Sequence, residues 1–349
     1  MNDTPKDNVL IVRFSALGDV AMTIPVVYEV CRKHPERRFV FVTKKSVTGI
    51  FVNPPANLSI FSADTSARHK GFKGIWRLYR DLREEKFGYV IDLHDVLRSR
   101  ILGLLWRMCG ARCFTLDKGR KEKRQLCAPD KKSVLKPLKG SIERYADVFR
   151  KAGFEVTTEF RSIFDGNHPA QPLPTDIEPR RDEELWMGIA PFAKHQGKIY
   201  PIHRTEELVK YLSEQKRYRI FLMGGGSTET PILQAWAEKY PGVVSLAGKR
   251  LGFPAELSLI SRMDMVVSMD SANMHLASLV GVPVISIWGQ THPYAGFLGW
   301  NQASANIVQC DLPCRPCSIF GNRPCRRGDY ACMEQIPPSV IIKRIESLS

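Results

Sequence analysis

The chain has 349 residues, 44% hydrophobic and 25% charged, enough for two domains of ordinary size. No run reaches the roughly 18 apolar residues that span a bilayer, and the polar start "MNDTPKDN" lacks the apolar stretch of a secretory signal, so a cytoplasmic protein is expected. Lys plus Arg number 51 against 36 Asp plus Glu, a formal charge of +15, which suits solubility or a polyanionic partner: nucleic acid, an anionic membrane face or a phosphorylated substrate.

In chain order, short apolar runs alternate with helical patterns. Strands are expected at "VLIVRF" (9–14), "RFVFVTK" (38–44), "NLSIFSA" (57–63), "YVIDLH" (89–94) and "CFTLD" (113–117). "VAMTIPVVYEVCRKH" and "GIWRLYRDLREEK" read as helices between them. Buried strands alternating with amphipathic helices predict parallel βαβ units. "SIERYADVFRKAG" (141–153) closes this half: Ser141 can cap a helix whose face carries Ile142, Tyr145 and Phe149, and Gly153 follows its end.

The stretch 164–183 holds four prolines and little apolar content, which predicts a linker. The pattern resumes with "LWMGIAP" (185–191), "YRIFLMGG" (218–225), "GVVSLAG" (242–248), "MDMVVSMD" (263–270) and "VPVISIWG" (282–289). Two consecutive doubly wound α/β domains are the economical arrangement: 1–165, a linker at 166–183, and 184–336 with a Cys-rich loop at 310–332. A helix over 337–348 ends the chain, within a C-terminal segment 337–349.

In doubly wound sheets ligands bind beyond the C-terminal strand ends. In the first half these ends hold Ser15 to Asp19, Lys44, Lys45 and "DLHDVLRSR" (92–100). In the second they hold "APFAKHQGKIYP" (190–201), "GGGSTE" (224–229) and "MDSANMHLA" (269–277). The second set suits a nucleotide diphosphate. Gly225 and its neighbours permit close backbone approach, Ser271 to Asn273 open a helix whose free N–H groups favour an anion, and Lys194 and Lys198 supply point charges. Glu229 and Asp270 can accept ribose or base hydrogen bonds. Neither G-x-G-x-x-G nor a P-loop is present, which disfavours a dinucleotide oxidoreductase or a P-loop enzyme. D-x-D is absent too, so lysines and a helix N-terminus, not a metal, would stabilise a leaving diphosphate.

Asp19 has two readings. It can cap the first helix, a contribution of about 1 kcal/mol, or act as a general base on an acceptor hydroxyl. Cys310, Cys314, Cys317, Cys325 and Cys332 crowd one loop; such a cluster suggests a structural zinc, although C-x3-C-x2-C-x7-C-x6-C is not a standard zinc spacing, and the alternative is a set of buried thiols. The basic segment 118–139 carries nine Lys and Arg against Glu122 and Asp130. It lacks interleaved aromatics and any nucleic-acid motif, so no nucleic-acid partner is expected.

"VLIVRFSALGDVAMTIPVV" (9–27), Lys198 in "KIYP", and "MDSANMHLASLVGVPVISIWGQTHP" (269–293) together resemble glycosyltransferase family 9, the heptosyltransferases of lipopolysaccharide core assembly. The similarity runs over nearly the whole chain. It implies a GT-B architecture, two Rossmann-like domains facing across a cleft, and an inverting, metal-independent transfer of heptose from ADP-heptose to a Kdo or heptose hydroxyl of a lipid A-linked core. On this resemblance Asp19 is the catalytic carboxylate, Lys198 binds phosphate and Glu229 falls near a ribose-binding acid. Asp270, Ser271, Ala272 and His275 form the donor turn, His275 being a donor contact or a helix histidine. Ser15, Gly18, Arg98 and Arg100 are acceptor candidates, the arginines for carboxylates or phosphates. The first domain would bind acceptor, the second donor, and the final helix would cross back to the first domain. No cofactor is required. The work would be done in the cytoplasm, against the inner face of the cytoplasmic membrane, where segment 118–139 is either a surface anchor or a solvated loop. The chain departs from the family pattern at Asp-Ser-Ala-Asn in the donor turn, where Thr-Gly or Ser-Gly commonly follows the Asp.

Overall fold

The computed structural model describes residues 8–128, 135–165 and 170–349. The chain divides into two compact units, 1–119 with 141–163 and 120–140 with 164–349.

The first unit is a five-stranded parallel sheet. Its strands are β1 (Val9–Val12), β2 (Phe39–Lys44), β3 (Leu58–Ala63), β4 (Tyr89–Asp92) and β5 (Arg112–Thr115), in the order β3-β2-β1-β4-β5. The β1 and β2 residues are almost all buried, as parallel strands covered on both faces must be. Helices α1 (Leu17–Ala21), α2 (Ile24–Lys33), α3 (Gly71–Leu82) and α4 (Leu97–Met108) are all described in this unit. A core of Leu10, Val12, Val40, Val42, Leu78, Val90 and Trp106 lies on one side of the sheet. The order reverses between β1 and β4, so the crevice beyond their ends is where a ligand site is expected.

Residues 120–140 depart from the expectation, which placed them in the first domain. They leave it at Gly119, φ +60°, and hold helix α5 (Arg120–Leu126). Within the second unit Lys123 Nζ lies 4.2 Å from the Phe297 ring centre, Arg326 donates to Cys127 O (3.2 Å), and Leu138 N–H donates to Tyr294 O (2.9 Å). The basic segment is thus partly helical and already engaged. Its residues 129–134 lie outside the described residues, as does 166–169 of the expected linker. The chain rejoins the first unit in α6 (Ser141–Lys151), buried through Tyr145, Val148 and Phe149 as its period predicts.

The second unit is a six-stranded parallel sheet of β6 (Leu185–Ala190), β7 (Tyr218–Leu222), β8 (Val243–Ser245), β9 (Met265–Met269), β10 (Val284–Trp288) and β11 (Ile307–Gln309). The order is β11-β10-β9-β6-β7-β8, with the reversal between β6 and β9. Its helices are α7 (Ile202–Glu214), α8 (Glu229–Lys239), α9 (Phe253–Ile260), α10 (Ala272–Leu279), α11 (Ala331–Glu334) and α12 (Pro338–Glu346). Helix α12 differs from the expectation of a return to the first domain. It packs on α7, with Ile341 and Ile345 buried in the second core and Tyr211 OH 3.4 Å from Glu346 Oε1. Burying that apolar face inside the second unit accounts for its place. Among the described residues no helix is long and apolar enough to cross a membrane.

Candidate functional site

Each unit places some of its sequence-singled residues at its own point of strand-order reversal. In the first unit the chain leaves β1 through Arg13 and Phe14, and leaves β4 through Leu93 and His94. Arg13 is buried and donates to Leu93 O (2.5 Å). Phe14 N–H donates to His94 Nδ1 (3.3 Å). These bonds tie the β1 and β4 loops together.

Asp19 sits in the first turn of α1. Its Oδ2 accepts the Ala16 N–H (3.2 Å) and meets Arg13 Nη2 (2.9 Å). The cap contact is therefore real, and the carboxylate is also aimed by a buried arginine. Both contacts fall on Oδ2; Oδ1 takes part in neither. One third of the side chain is exposed, against 6% for Arg13. Ser15 and Gly18 flank it, both half-buried.

Burial, then the cations Arg13 and Lys118, push the His94 imidazolium down to about 3. Lys44 acts in the same sense and Asp19 against it. Asp92, at the end of β4, accepts the His94 and Asp95 N–H groups and the Ser99 hydroxyl, fixing the loop. Burial pushes its carboxyl up, against those hydrogen bonds. Arg98 reaches this cluster, stacking 5.8 Å from the Phe14 ring centre and donating to His69 O. Arg100 instead pairs with buried Asp95 (2.6 Å).

In the second unit Lys198 lies in the loop after β6 and Asp270 at the end of β9. Lys198 Nζ is 2.8 Å from Asp270 Oδ2, the two side chains 15% and 4% exposed. Ser271 is the N-cap of α10 and Ala272 its first residue. The first-turn N–H groups there lack intrahelical partners, next to the Lys198 ammonium. Lys194 is exposed on the same loop. Burial, then Lys194 and Lys198, lower the His195 pKa, which marks this loop as electropositive.

Glu229 begins α8, and its Oε2 accepts the Gly225 N–H (2.9 Å). It caps the glycine-rich loop rather than standing apart from it. His275 is buried in α10 at 6% exposure.

The Lys198 loop is fitted tightly. A Cβ on Gly197 would stand 1.9 Å from Gln290 Oε1, and one on Gly321 would stand 2.6 Å from Lys198 Cγ. The Cys-rich loop therefore packs against the lysine stem.

A model of glycosyltransferase family 9 (heptosyltransferase) matches residues 75–325. The chain belongs to glycosyltransferase family 9.

As a family 9 member it is a glycosyltransferase. It is 24% identical over 330 residues to lipopolysaccharide heptosyltransferase 1 of Pseudomonas aeruginosa, covering 88% of this chain and 85% of that one. Two solved structures share the fold. E. coli heptosyltransferase WaaC with ADP matches at TM-score 0.70 and 19% identity, over 98% of this chain and 100% of that one. A family 9 glycosyl transferase from Veillonella parvula matches at 0.71 and 18%, over 99% and 98%. The two parallel sheets are the doubly wound α/β domains that the sequence predicts and the GT-B class that the family resemblance implies.

The zinc expectation needs correction. Among the described residues no group of three or more His, Cys, Asp or Glu side chains could hold a metal ion. Cys314, Cys317, Cys325 and Cys332 line one small space, and none of the four is in a disulfide. Arg315 organises the loop instead. Its guanidinium donates to the carbonyls of Trp288, Gly289, Thr291 and Cys310 and to Gln309 Oε1.

Arg13, His94 and Arg315 are residues that sequence reasoning missed. Arg13 and Arg315 sit in apolar or cysteine-rich contexts where a cation is hidden by its neighbours. His94 carried a signal, since it stands in the strand-end run "DLHD".

Proposed function

We propose that the chain transfers heptose from ADP-heptose to a Kdo or heptose hydroxyl of the lipid A-linked lipopolysaccharide core, with inversion and without a catalytic metal. The observation that carries this is the Lys198–Asp270 pair beside the start of α10, at the strand reversal of the second unit. That is where a Rossmann-like sheet receives a nucleotide. Family membership, the heptosyltransferase relatives and a structural neighbour holding ADP support the donor.

In this scheme the second unit binds the nucleotide sugar. Lys198 and the α10 N-terminus carry the charge that grows on the diphosphate as the glycosidic C–O bond breaks. Lys194 adds long-range attraction, and Glu229 and Asp270 serve the nucleoside side. The first unit binds the acceptor. Asp19 takes the proton from the attacking hydroxyl as its oxygen bonds the anomeric carbon, so one bond forms as the other breaks and configuration inverts. Arg13 orients the Asp19 carboxylate through Oδ2, which leaves Oδ1 outside both the arginine and the Ala16 contacts. Arg98, with Lys44 and Lys118 nearby, suits an acceptor rich in carboxylate and phosphate. The enzyme would work in the cytoplasm, on the inner face of the membrane that carries its acceptor.

The test is a transfer assay with delipidated core acceptor and ADP-, GDP-, UDP- and dTDP-linked sugars, with and without EDTA. Transfer from ADP-heptose that survives EDTA is expected. Transfer from a different nucleotide sugar would overturn the donor assignment, to which the Asp-Ser-Ala-Asn turn points as the first place to look. Nucleotide binding without transfer would overturn catalysis.

A further inference from the structure

Helices α3 and α4 lie side by side on the first unit. The Tyr79 and Trp106 rings are 5.0 Å apart, and Tyr79 OH is 2.9 Å from Cys109 Sγ. Helix α3 buries Gly74, Ile75, Leu78 and Leu82. Its outer face should then be polar. Instead it presents Phe72, 71% exposed, and Trp76, 52% exposed, one turn apart. Helix α4 repeats the pattern, with Leu97, Leu104 and Met108 at 67%, 55% and 78%. Among the described residues five of the eleven exposed large hydrophobics fall on these two helices, which together hold only 24 residues.

The same faces are basic. Lys73, Arg77 and Arg80 on α3 and Arg107 on α4 are exposed; Arg100 is exposed too but is paired with Asp95. No acid occurs from Val96 to Arg112. The acids near α3 are mostly taken: Asp81 pairs with Arg68 and His69, and Glu85 with Arg38. Beside the apolar stripe runs an open groove of about 360 Å³, lined by Trp76, Tyr79, Arg80, Arg83, Lys86 and Trp106. The buried Trp106 indole N–H has no hydrogen-bond partner among the described residues.

We infer that this α3–α4 face docks on an anionic phospholipid bilayer. Aromatic and aliphatic tips with long cations between them are the composition of an interfacial helix face. The apolar tips enter the headgroup boundary while Lys and Arg stems lie along it and place their charge on phosphates. Charge complementarity selects the bilayer, because a net cationic face with most of its acids paired meets a continuous layer of phosphate. The inference rests on the proposed lipid-linked acceptor, which would then be met at the surface the first unit already sits on. It places the contact on folded helices rather than on segment 118–139.

The full-length protein is sedimented with phosphatidylcholine vesicles containing or lacking phosphatidylglycerol, and ADP affinity is measured on the same samples. Wild type should bind the anionic vesicles at least about tenfold better than the neutral ones, and less well at high salt. Phe72→Ser with Trp76→Ser, and separately Arg77→Glu with Arg107→Glu, should each lower that binding about tenfold or more. Both variants alter exposed side chains, so melting temperature and ADP affinity should hold. Equal binding by wild type and both variants, or no binding by wild type, overturns the surface. If wild type then still binds ADP, the proposed function stands; loss of ADP binding with vesicle binding intact would sink the function and spare the surface. Self-association that Phe72→Ser with Trp76→Ser abolishes, without vesicle binding, would make the face a protein interface and also overturn the inference.

Discussion

Lys198 Nζ lies 2.8 Å from Asp270 Oδ2 across the strand reversal of the second unit. The pair joins the loop after β6 to the end of β9, two strands that neighbour each other in the sheet. A buried ion pair is poor evidence of stability by itself, but removal of one partner strands the other charge. Its position makes the pair a clamp between the loops where a diphosphate would sit.

Structural and ligand roles separate in a double-variant cycle. Lys198→Met should weaken ADP binding about 10- to 100-fold, the loss of one charged hydrogen bond of ~1.5–3 kcal/mol. Asp270→Asn leaves the ammonium without its counter-charge and should lower the melting temperature. Combining the two should restore most of that stability but none of the ADP affinity. Calorimetry and thermal melts read both quantities. Wild-type ADP affinity in Lys198→Met would remove the lysine from the donor site.

The second prediction concerns Asp19 and Arg13. A general base contributes about 10²–10⁴-fold, so Asp19→Asn should cost kcat that much while ADP affinity changes less than about twofold. Arg13→Met should lower kcat less, because the carboxylate remains but its aim is lost. Partial recovery of kcat in Arg13→Lys, which keeps a cation beside Asp19 Oδ2, distinguishes a positioning arginine from a merely structural one. An Asp19→Asn enzyme with wild-type turnover would leave Asp19 as a helix cap only.

Much of this was legible in the sequence. Among the described residues ten of the eleven strands fall within the expected runs or within a residue of them, because fully buried parallel strands leave continuous apolar blocks such as "VLIV" and "VISIW". β11 escaped because three residues, Ile307 to Gln309, carry too little pattern. The strand-end rule singled out Asp19, Lys198 and Asp270 as candidates, since topology alone puts those positions beyond the sheet. It did not find Arg13, whose role comes from a long-range contact with the β4 loop, nor that Arg100 is held by Asp95. The domain boundary differs at 120–140 because the basic run there reads as a surface anchor or a solvated loop, and nothing in its composition says which unit it packs on. The crowding of cysteines suggests a metal, whereas the hydrogen bonding of the loop centres on Arg315, a residue that cysteine counting passes over.

His94 supplies a pH dependence. Its imidazolium is held down at about 3, while in the unfolded chain it titrates near ~6.5. Below that value the unfolded chain takes up a proton that the folded chain refuses, so stability falls as pH falls from about 6.5 towards 3. Above about 6.5 the contribution is constant. His94→Gln keeps an acceptor for the Phe14 N–H and removes the titration. The wild-type melting temperature should drop between pH 7 and pH 5, and the variant should drop less. Parallel curves for the two proteins would mean that His94 is not the group responsible.

Arg315 offers the last test, because it decides what holds the Cys-rich loop against Lys198. Its guanidinium is buried, and burial lowers its pKa, a cost offset by five acceptors at 2.5–3.0 Å. Arg315→Met keeps the apolar stem and leaves four carbonyls short of a donor. At roughly 1 kcal/mol for each lost hydrogen bond, the expected loss is about 3 kcal/mol or more. Because Gly321 packs on the Lys198 stem, ADP affinity should fall together with stability, whereas Cys325→Ser, which changes one sulfur on the same loop, should leave ADP affinity within about twofold. Thermal melts with ADP titrations check both. Should Arg315→Met melt like wild type, the loop is held by something other than this guanidinium.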